Sequence, residues 1–217
     1  MVFRKQSRQP AAEAATPVVD WRDVTRFSVT NVVRGTGRRA VTGAWAVRDG
    51  AGRPCAFFAS GRYAPGPQRL FEDERASRPL LLVEPRQVVD GEHHYRVTDA
   101  SGDVVGTVRR IPPSRRPLKH TWRIDQPGRP EIVGRNAWAA SDARSLVSRT
   151  GDEVASMVFD SLLHSDEVEP GKRPPRTLLW KAGDEEVMTS GRDQPLRIKA
   201  EWLDRRLAFA FAVLGDR

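Results

Sequence analysis

The chain has 217 residues, of which 36 are basic and 28 acidic, and its formal net charge is +8 at pH 7. A chain of this length can bury roughly 70% of the surface that its unfolded form exposes, so it needs neither a disulfide nor a structural metal. Cys55 is the only cysteine, which excludes an intrachain disulfide, and the four histidines lack the short spacings of a zinc site.

The basic excess raises the question of phosphate-bearing partners, namely nucleic acid or anionic lipid. Only five of the basic residues are lysines, and such an arginine-rich composition is also typical of GC-rich coding. A functional phosphate site and a solvated basic surface therefore both stay open.

We predict a flexible N-terminal arm over residues 1–20 and a single barrel domain over residues 21–217. The basic residues near the N-terminus are followed by no apolar run, unlike those of a secretory signal. The longest apolar run, 207–214, is far shorter than the roughly 20 residues of a spanning helix. We expect a soluble, cytoplasmic protein without a transmembrane span.

A β-hairpin pattern recurs along the chain. Residues 45–52, WAVRDGAG, match residues 95–102, YRVTDASG, in having an aromatic residue, alternating positions, Asp and, three residues later, Gly. The Asp side chain can accept hydrogen bonds from the turn backbone, and Gly supplies the positive φ that closes a short loop. Weaker copies cover residues 120–135, 145–159 and 177–190.

Together with extended segments at 27–33 and 79–89, these hairpins bring the count to about 12 strands, which predicts a closed, up-and-down antiparallel barrel. Strands about 4.8 Å apart and tilted by about 40° would enclose a lumen roughly 12 to 14 Å wide. An α-helix of about 10 to 12 Å diameter would fill it.

The apolar C-terminal segment is the candidate for that helix, because it begins with helix-favouring residues and ends apolar on every side. However, Phe209, Phe211 and Val213 alternate with alanines, which is also typical of a strand. The local pattern leaves both structures open.

From about Phe27 to the end, the sequence resembles the tubby C-terminal, phospholipid scramblase and LURP-one-related superfamily. The resemblance rests on the hairpins at 45–52 and 95–102, on HTWRIDQPGRPEIVGR at 120–135, and on the ending PLRIKAEWLDRRLAFAFAVLGD. It implies an all-β fold in which a closed antiparallel barrel of 12 strands surrounds one buried, central C-terminal helix, here over 203–214.

Three functional features of that superfamily have no counterpart in this chain. The scramblase cysteine cluster is missing, and the loop that matches their acidic calcium loop, SGRDQPLR, offers only Asp193. We therefore do not expect calcium-driven lipid scrambling. The phosphoinositide-binding residues of tubby domains also find no motif to which they can be aligned.

An up-and-down barrel places its tight turns at one end and its longer connections at the other. The turn segments sum to a negative charge and the connections to a positive one, which comes mainly from RRIPPSRRPLK at 109–119. With GKRPPR at 171–176, this segment predicts a phosphate-facing patch, in which each basic side chain would contribute about 1 kcal/mol near an anionic membrane. The predicted patch residues are Arg109, Arg110, Arg115, Arg116, Lys119, Lys172, Arg173 and Arg176. The alternative is that arginine and proline only keep the connections soluble and extended.

Other chemistry-bearing residues have structural interpretations. We predict that Cys55 is a buried apolar residue and that His93 and His94 face opposite sides of a strand, so that they cannot chelate one ion. The aromatic residues that precede the hairpin turns are expected to pack in the core or at its rim, and they are Trp45, Tyr95, Trp122 and Trp180. The acidic runs at 71–74 and 164–169 are interpreted as solvated loops.

The sequence contains no G-x-S-x-G, H-E-x-x-H or G-x-x-x-x-G-K-[ST] motif. It predicts a non-enzymatic barrel, without catalytic residues, metal or cofactor, that associates peripherally with anionic phospholipid or another phosphate-bearing ligand. A protein-interaction scaffold is the alternative, and a nucleic-acid-binding protein is a less favoured one.

Overall fold

In the computed structural model, the described residues are 18–34, 41–58, 66–112, 121–136, 177–191 and 194–215. They form thirteen strands, a 3-10 turn at Trp21–Asp23 and one α-helix, α1. The strands are β1 Arg26–Arg34, β2 Val41–Asp49, β3 Pro54–Phe58, β4 Gln68–Phe71, β5 Pro79–Val83, β6 Gln87–Val89, β7 Glu92–Asp99, β8 Val104–Ile111, β9 Thr121–Asp125, β10 Ile132–Asn136, β11 Thr177–Ala182, β12 Glu185–Gly191 and β13 Leu196–Ile198, and α1 covers Arg205–Leu214.

Twelve of these strands close into an antiparallel barrel, as predicted. Consecutive strands pair around the ring, β13 pairs with β1, and β5 pairs with β7. The remaining strand, β6, continues the line of β5 along the same edge of β7. The extended segment predicted at 79–89 is therefore confirmed, with a break at residues 84–86, where Pro85 lacks a backbone N–H for the ladder.

The strand directions give the barrel two different ends. We call the end with the turns at 49–53, 99–103, 126–130 and 183–184 the turn rim. The opposite end, where β3, β8, β10 and β12 end, is the loop rim. The chain before β1 contacts the turn rim, since the Val19 N–H donates to the Pro54 carbonyl at 3.0 Å. Residues 1–17 of the predicted arm lie outside the described part.

The two matching hairpins fold as their sequences predict. The Asp49 carboxylate accepts the backbone N–H groups of Ala51 at 3.0 Å and Arg53 at 2.8 Å. Asp99 makes the same two hydrogen bonds in the second hairpin, at 2.9 and 3.0 Å. Gly52 closes the first turn with a φ of 81°. The predicted hairpins at 120–135 and 177–190 are also present, and the one at 145–159 lies outside the described residues.

The sequence analysis predicts no strand between the hairpin that begins at residue 45 and the extended segment at 79–89, but β4 lies there, at Gln68–Phe71. β4 pairs with β5 and buries Gln68 and Leu70. A polar residue on the inner face hides the alternation that would identify the strand. The acidic run at 71–74 consequently forms an ordered turn at the turn rim, where Asp73 accepts the N–H groups of Arg75 at 2.9 Å and Arg78 at 2.7 Å.

The C-terminal segment is a helix, and the strand alternative is wrong. Asp204 caps α1 by accepting the Arg206 N–H at 2.9 Å, and Gly215 ends it with a φ of 70°. Every residue at 207–213 is buried, so the helix is surrounded by the barrel. None of the helices in the described ranges has the length and apolar character needed to cross a bilayer.

The alternating phenylalanines suit a helix that is buried on all sides. Residues two apart on a helix point about 200° apart, so they reach different walls. Phe209 meets Phe27 of β1 edge to face, with ring centroids 4.8 Å apart. Phe211 meets Trp122 of β9 at 5.2 Å and Trp180 of β11 at 4.6 Å, also edge to face.

We predict that Phe211→Ala lowers the free energy of unfolding by about 3 to 5 kcal/mol, because it removes a buried ring between two indoles. Phe211→Leu, which keeps most of the volume, should cost clearly less. Urea unfolding followed by tryptophan fluorescence measures both. A loss below about 1 kcal/mol for the alanine variant would contradict the central position of the helix.

Gly134 lies on β10 in the barrel wall, and replacing it tests the packing of the core from that side. A Cβ at this position would lie 2.8 Å from three atoms of the buried Trp180 indole. We expect Gly134→Ala to destabilise the barrel by about 1 to 3 kcal/mol. Gly50→Ala is the matched control, because its Cβ would meet only the flexible Arg26 side chain, at 3.5 Å. Equal unfolding midpoints for the two variants would contradict the prediction.

Candidate functional site at the loop rim

Both predicted basic segments connect strands at the loop rim. β8 ends at Ile111 and β9 begins at Thr121 at this end of the barrel. β10 ends at Asn136 and β11 begins at Thr177 at the same end. Of the predicted patch, Arg109 and Arg110 are described and lie on β8 rather than in a connection. The other six lie outside the described residues, and they are Arg115, Arg116, Lys119, Lys172, Arg173 and Arg176.

Arg109 lies on the outer face of β8 at the centre of an ion-pair network. Its guanidinium donates to Asp125 at 2.5 and 3.0 Å, to Glu92 at 3.1 Å and to Glu131. Arg123 binds the same Glu131 oxygen at 2.8 Å. Burial opposes the charge of Arg109, but the hydrogen bonds and charges of Asp125 and Glu131 raise its pKa. Its charge is therefore compensated within the sheet.

Arg110 differs in its direction and in its partners. It is half-buried and lies opposite His93 on β7 and Trp122 on β9, on the face of β8 that lines the barrel. Its guanidinium carbon is 5.6 Å from the Trp122 ring centroid, a cation–π arrangement. Within the described part of the chain, no carboxylate pairs with it. Among the described residues, the charge of Arg110 at the loop rim is therefore not compensated by a carboxylate.

The pKa of His93 reflects the environment of its side chain at the loop rim. Burial, together with the positive charges of Arg86 and Arg110, lowers its pKa from the ordinary value of 6.5. Its Nδ1 atom is buried and has no hydrogen-bond partner among the described residues. Neighbouring His94 lies on the outer face, with Nε2 3.7 Å from a Glu92 oxygen. The prediction that the two histidines face opposite sides is thus confirmed.

The arrangement of Arg86, Arg110 and His93 favours an anion. Burial is the main cause of the lowered pKa of His93, and the positive charges of Arg86 and Arg110 add to it. An anionic oxygen would reverse that effect, and the guanidinium of Arg110 matches phosphate or carboxylate geometry. In the described ranges, no three acidic, His or Cys side chains come together as they would to hold a metal ion.

Cys55 is buried, as predicted. Its thiol lies 3.2 Å from the Val47 carbonyl. Burial first, and the nearby Asp49 charge second, raise its pKa to about 12, so it stays protonated at neutral pH. A protonated thiol inside the wall is a poor nucleophile.

The aromatic residues that precede the hairpin turns pack as predicted. Trp122 and Trp180 are fully buried, and Trp45 and Tyr95 are partly buried against the core. Trp45 also stacks on Phe58, with ring centroids 6.1 Å apart. These rings stabilise the barrel rather than present stacking surfaces for nucleic-acid bases.

The turn rim carries carboxylates that the turns themselves use. Asp49 and Asp73 accept backbone N–H groups in their turns, and Asp99 also lies 3.7 Å from Arg206 at the start of α1. Asp184 is exposed in the turn between β11 and β12. The described tight turns therefore carry several carboxylates, next to basic residues such as Arg53, and the turn at 149–154 lies outside the described residues.

Sequence reasoning missed the hairpin that positions His93. Asp90 and Gly91 form a two-residue turn with φ values of 50° and 73°, and Val89 and Glu92 flank it. These angles are those of a type I′ turn, for which Asp-Gly between strands is a strong signal. The dipeptide could have revealed this turn and the loop-rim position of His93.

No protein-family model, curated protein or solved structure gave a significant match to this chain.

The pH dependence of stability tests the environment of His93. Because its pKa is lowered in the folded state, the unfolded chain takes up the proton more readily. The free energy of unfolding should therefore fall as the pH drops below about 6.5, and the difference should vanish at higher pH. We expect His93→Gln to flatten this dependence in urea unfolding between about pH 5 and pH 8.

His94→Gln is the matched control, since it removes the neighbouring imidazole from the outer face. It should keep the pH dependence that His93 causes. If both variants have the same slope as the unmodified chain, His93 is not the group that lowers stability in acid.

Proposed function

We propose that this chain is a non-enzymatic barrel of the tubby, scramblase and LURP-one-related type, and that its loop rim binds the phosphate groups of anionic phospholipids. The closed barrel around a C-terminal helix supports the type, together with the hairpin motifs at 45–52 and 95–102. The observation that carries the binding proposal is Arg110, which has no carboxylate partner among the described residues and lies opposite His93 at the rim where strands β8 and β11 adjoin the two basic segments.

The distribution of charge supports an oriented contact with a membrane. The turn rim carries carboxylates in its turns, and they offset its basic residues, as Asp49 does for Arg53 at 2.7 Å, so this end attracts an anionic surface less. The loop rim has Arg86 and Arg110 in the described structure and two basic segments attached to it. Juxtamembrane basic side chains contribute about 1 kcal/mol each at an anionic leaflet. The axial asymmetry would thus direct the loop rim towards the lipid.

Arg109 has a separate role in this proposal. Its three carboxylate partners fix β8 to β7, β9 and the start of β10, next to the point where the basic segment begins. This network would orient Arg110, the next residue, towards the barrel mouth. Arg109 therefore positions the patch, and the binding charge comes from the residues that follow it.

The proposed association is peripheral and cytoplasmic. The cytoplasmic leaflet carries the anionic lipids that attract basic surfaces. A chain whose only thiol is buried and which has no disulfide suits a reducing compartment. Phosphate recognition by arginine and lysine requires no metal and no cofactor, and none is part of this proposal.

Vesicle sedimentation tests the proposal with the full-length chain. The unmodified protein should sediment with vesicles that contain phosphatidylserine and not with neutral phosphatidylcholine vesicles. Replacing Arg115, Arg116 and Lys119 by Glu should weaken binding at least about a hundredfold, because three favourable charges become unfavourable. Arg110→Gln should have a smaller effect in the same direction.

A control with the same change of charge is Arg75→Glu, Arg129→Glu and Lys181→Glu at the turn rim. It should bind anionic vesicles like the unmodified chain. Equal losses in both triple variants would show that only net charge matters, and failure of the unmodified chain to sediment would reject the proposal. Tighter binding to duplex DNA at matched ionic strength, with a steep salt dependence, would favour the nucleic-acid alternative.

A further inference from the structure

Two arginines lie directly opposite each other where the barrel closes. β1 and β13 pair over only two positions, Arg26 with Arg197 and Phe27 with Leu196. Phe27 and Leu196 are buried in the core, so Arg26 and Arg197 project from the outer wall, and both are exposed. Like charges at directly opposed positions of an antiparallel pair are destabilising.

The described part of the chain offers neither arginine a compensating partner. Within the described chain, no carboxylate, hydrogen bond or aromatic ring contacts the guanidinium of Arg26 or Arg197. Several other arginines on the barrel are paired, for example Arg53 with Asp49 at 2.7 Å. The two opposed arginines thus concentrate positive charge at the closing strands, where an external anion would neutralise it.

A polar hollow of about 260 Å³ lies beside this pair on the outer wall. The residues that line it include Arg26, Arg197, Thr177, Thr189, Ser190 and Gln194, and no acidic residue among the described ones lines it. Pockets for drug-sized ligands are larger, roughly 300 to 1,000 Å³, and mostly apolar. The hollow suits one small, strongly hydrogen-bonding group.

Thr177 and Thr189 supply the hydroxyls on the outer face of the sheet. Ser190 faces inward instead, because its Oγ accepts the indole N–H of the buried Trp180 at 2.9 Å. Thr189 of β12 lies opposite Arg197 of β13, and both are on the outer face of the sheet. Two guanidinium groups with neighbouring hydroxyl donors offer several hydrogen bonds to one anion.

We infer that Arg26 and Arg197 form a binding site for an oxyanion of the phosphate class, either free phosphate or a terminal phosphate monoester. The two guanidinium groups would contact the anion from β1 and β13, and Thr177, Thr189 and Gln194 would complete its hydrogen bonds. This inference goes beyond the proposed membrane association and does not rest on it, since none of the loop-rim patch residues lines the hollow. The bound anion would also remove the repulsion at the closing strands.

Titration of the full-length chain with inorganic phosphate, followed by calorimetry at constant ionic strength, tests this site. The unmodified protein should show saturable binding, and Arg26→Gln with Arg197→Gln should weaken it at least about tenfold, because two charged hydrogen-bond donors are lost. In phosphate-free buffer the same variant should unfold at an equal or higher denaturant midpoint, because the repulsion is gone.

Arg69→Gln with Arg135→Gln is the matched control, since both side chains are exposed on the wall and the change of charge is the same. Its phosphate affinity should stay within about twofold of the unmodified chain. The inference is overturned if the unmodified chain binds no phosphate saturably, if the two double variants lose affinity equally, or if the Arg26 and Arg197 variant keeps its affinity.

Vesicles with phosphatidic acid, whose phosphate is a monoester, distinguish the source of the anion. If the Arg26 and Arg197 variant loses binding to these vesicles as well as to inorganic phosphate, the site binds lipid headgroups. If it loses only inorganic phosphate, the site takes a soluble phosphate. The charge-reversed Arg115, Arg116 and Lys119 variant should still bind inorganic phosphate, so failure of the membrane proposal remains separate from failure of this site.

Discussion

The contact between the phenylalanines of α1 and the inner walls of the barrel is the constraint on which the other features depend. A ring of 12 strands is too wide for its own side chains to fill, and a helix of about 10 to 12 Å diameter makes up the difference. Phe209 reaches β1, and Phe211 reaches β9 and β11. The alanines between them keep the helix narrow enough to lie within the ring.

Because the lumen is filled by the helix, the charges of the chain lie at its two rims and on its outer wall. The end at which α1 enters is the turn rim, where Asp204 caps the helix and Gln126 accepts the Asp204 N–H at 2.9 Å. Arg206 binds the Asp204 carboxylate at 2.7 Å and lies near Asp99. The carboxylates of this end thus stabilise the start of α1. The basic segments of the sequence adjoin strands at the opposite end, the loop rim.

The fold could be predicted because its signals are local or compositional. Asp49 and Gly52 specify a turn by hydrogen bonds within five residues, and Asp99 repeats this arrangement. The helix could not be separated from a strand by local pattern, because burial on every side removes the polar face that would reveal a period of 3.6 residues. Only the width of the predicted lumen and the family resemblance favoured the helix.

The candidate sites were less predictable, because they depend on partners that are distant in the sequence. Arg109 and Arg110 are adjacent and look equivalent in the basic segment. The alternation of β8 directs Arg109 to Glu92, Asp125 and Glu131 on the outside, and Arg110 to the barrel mouth. No pattern around residue 109 contains those carboxylates.

The opposition of Arg26 and Arg197 is equally hidden in the sequence, since it arises only when the first and last strands meet. The arginine content alone leaves open whether the basic surface is functional. The structure separates two kinds of arginine. Those with a carboxylate partner, such as Arg53 and Arg109, stabilise turns and strand pairs, and their charge is neutralised by carboxylates of the protein itself.

A second kind of arginine has no carboxylate partner among the described residues. Arg110 lies beside a histidine whose protonation it opposes, and Arg26 lies opposite another arginine. The repulsion between these basic groups has a cost in the folded chain. A phosphate group at each site would turn that cost into a favourable interaction, which is the physical reason to look for phosphate-bearing ligands on this barrel.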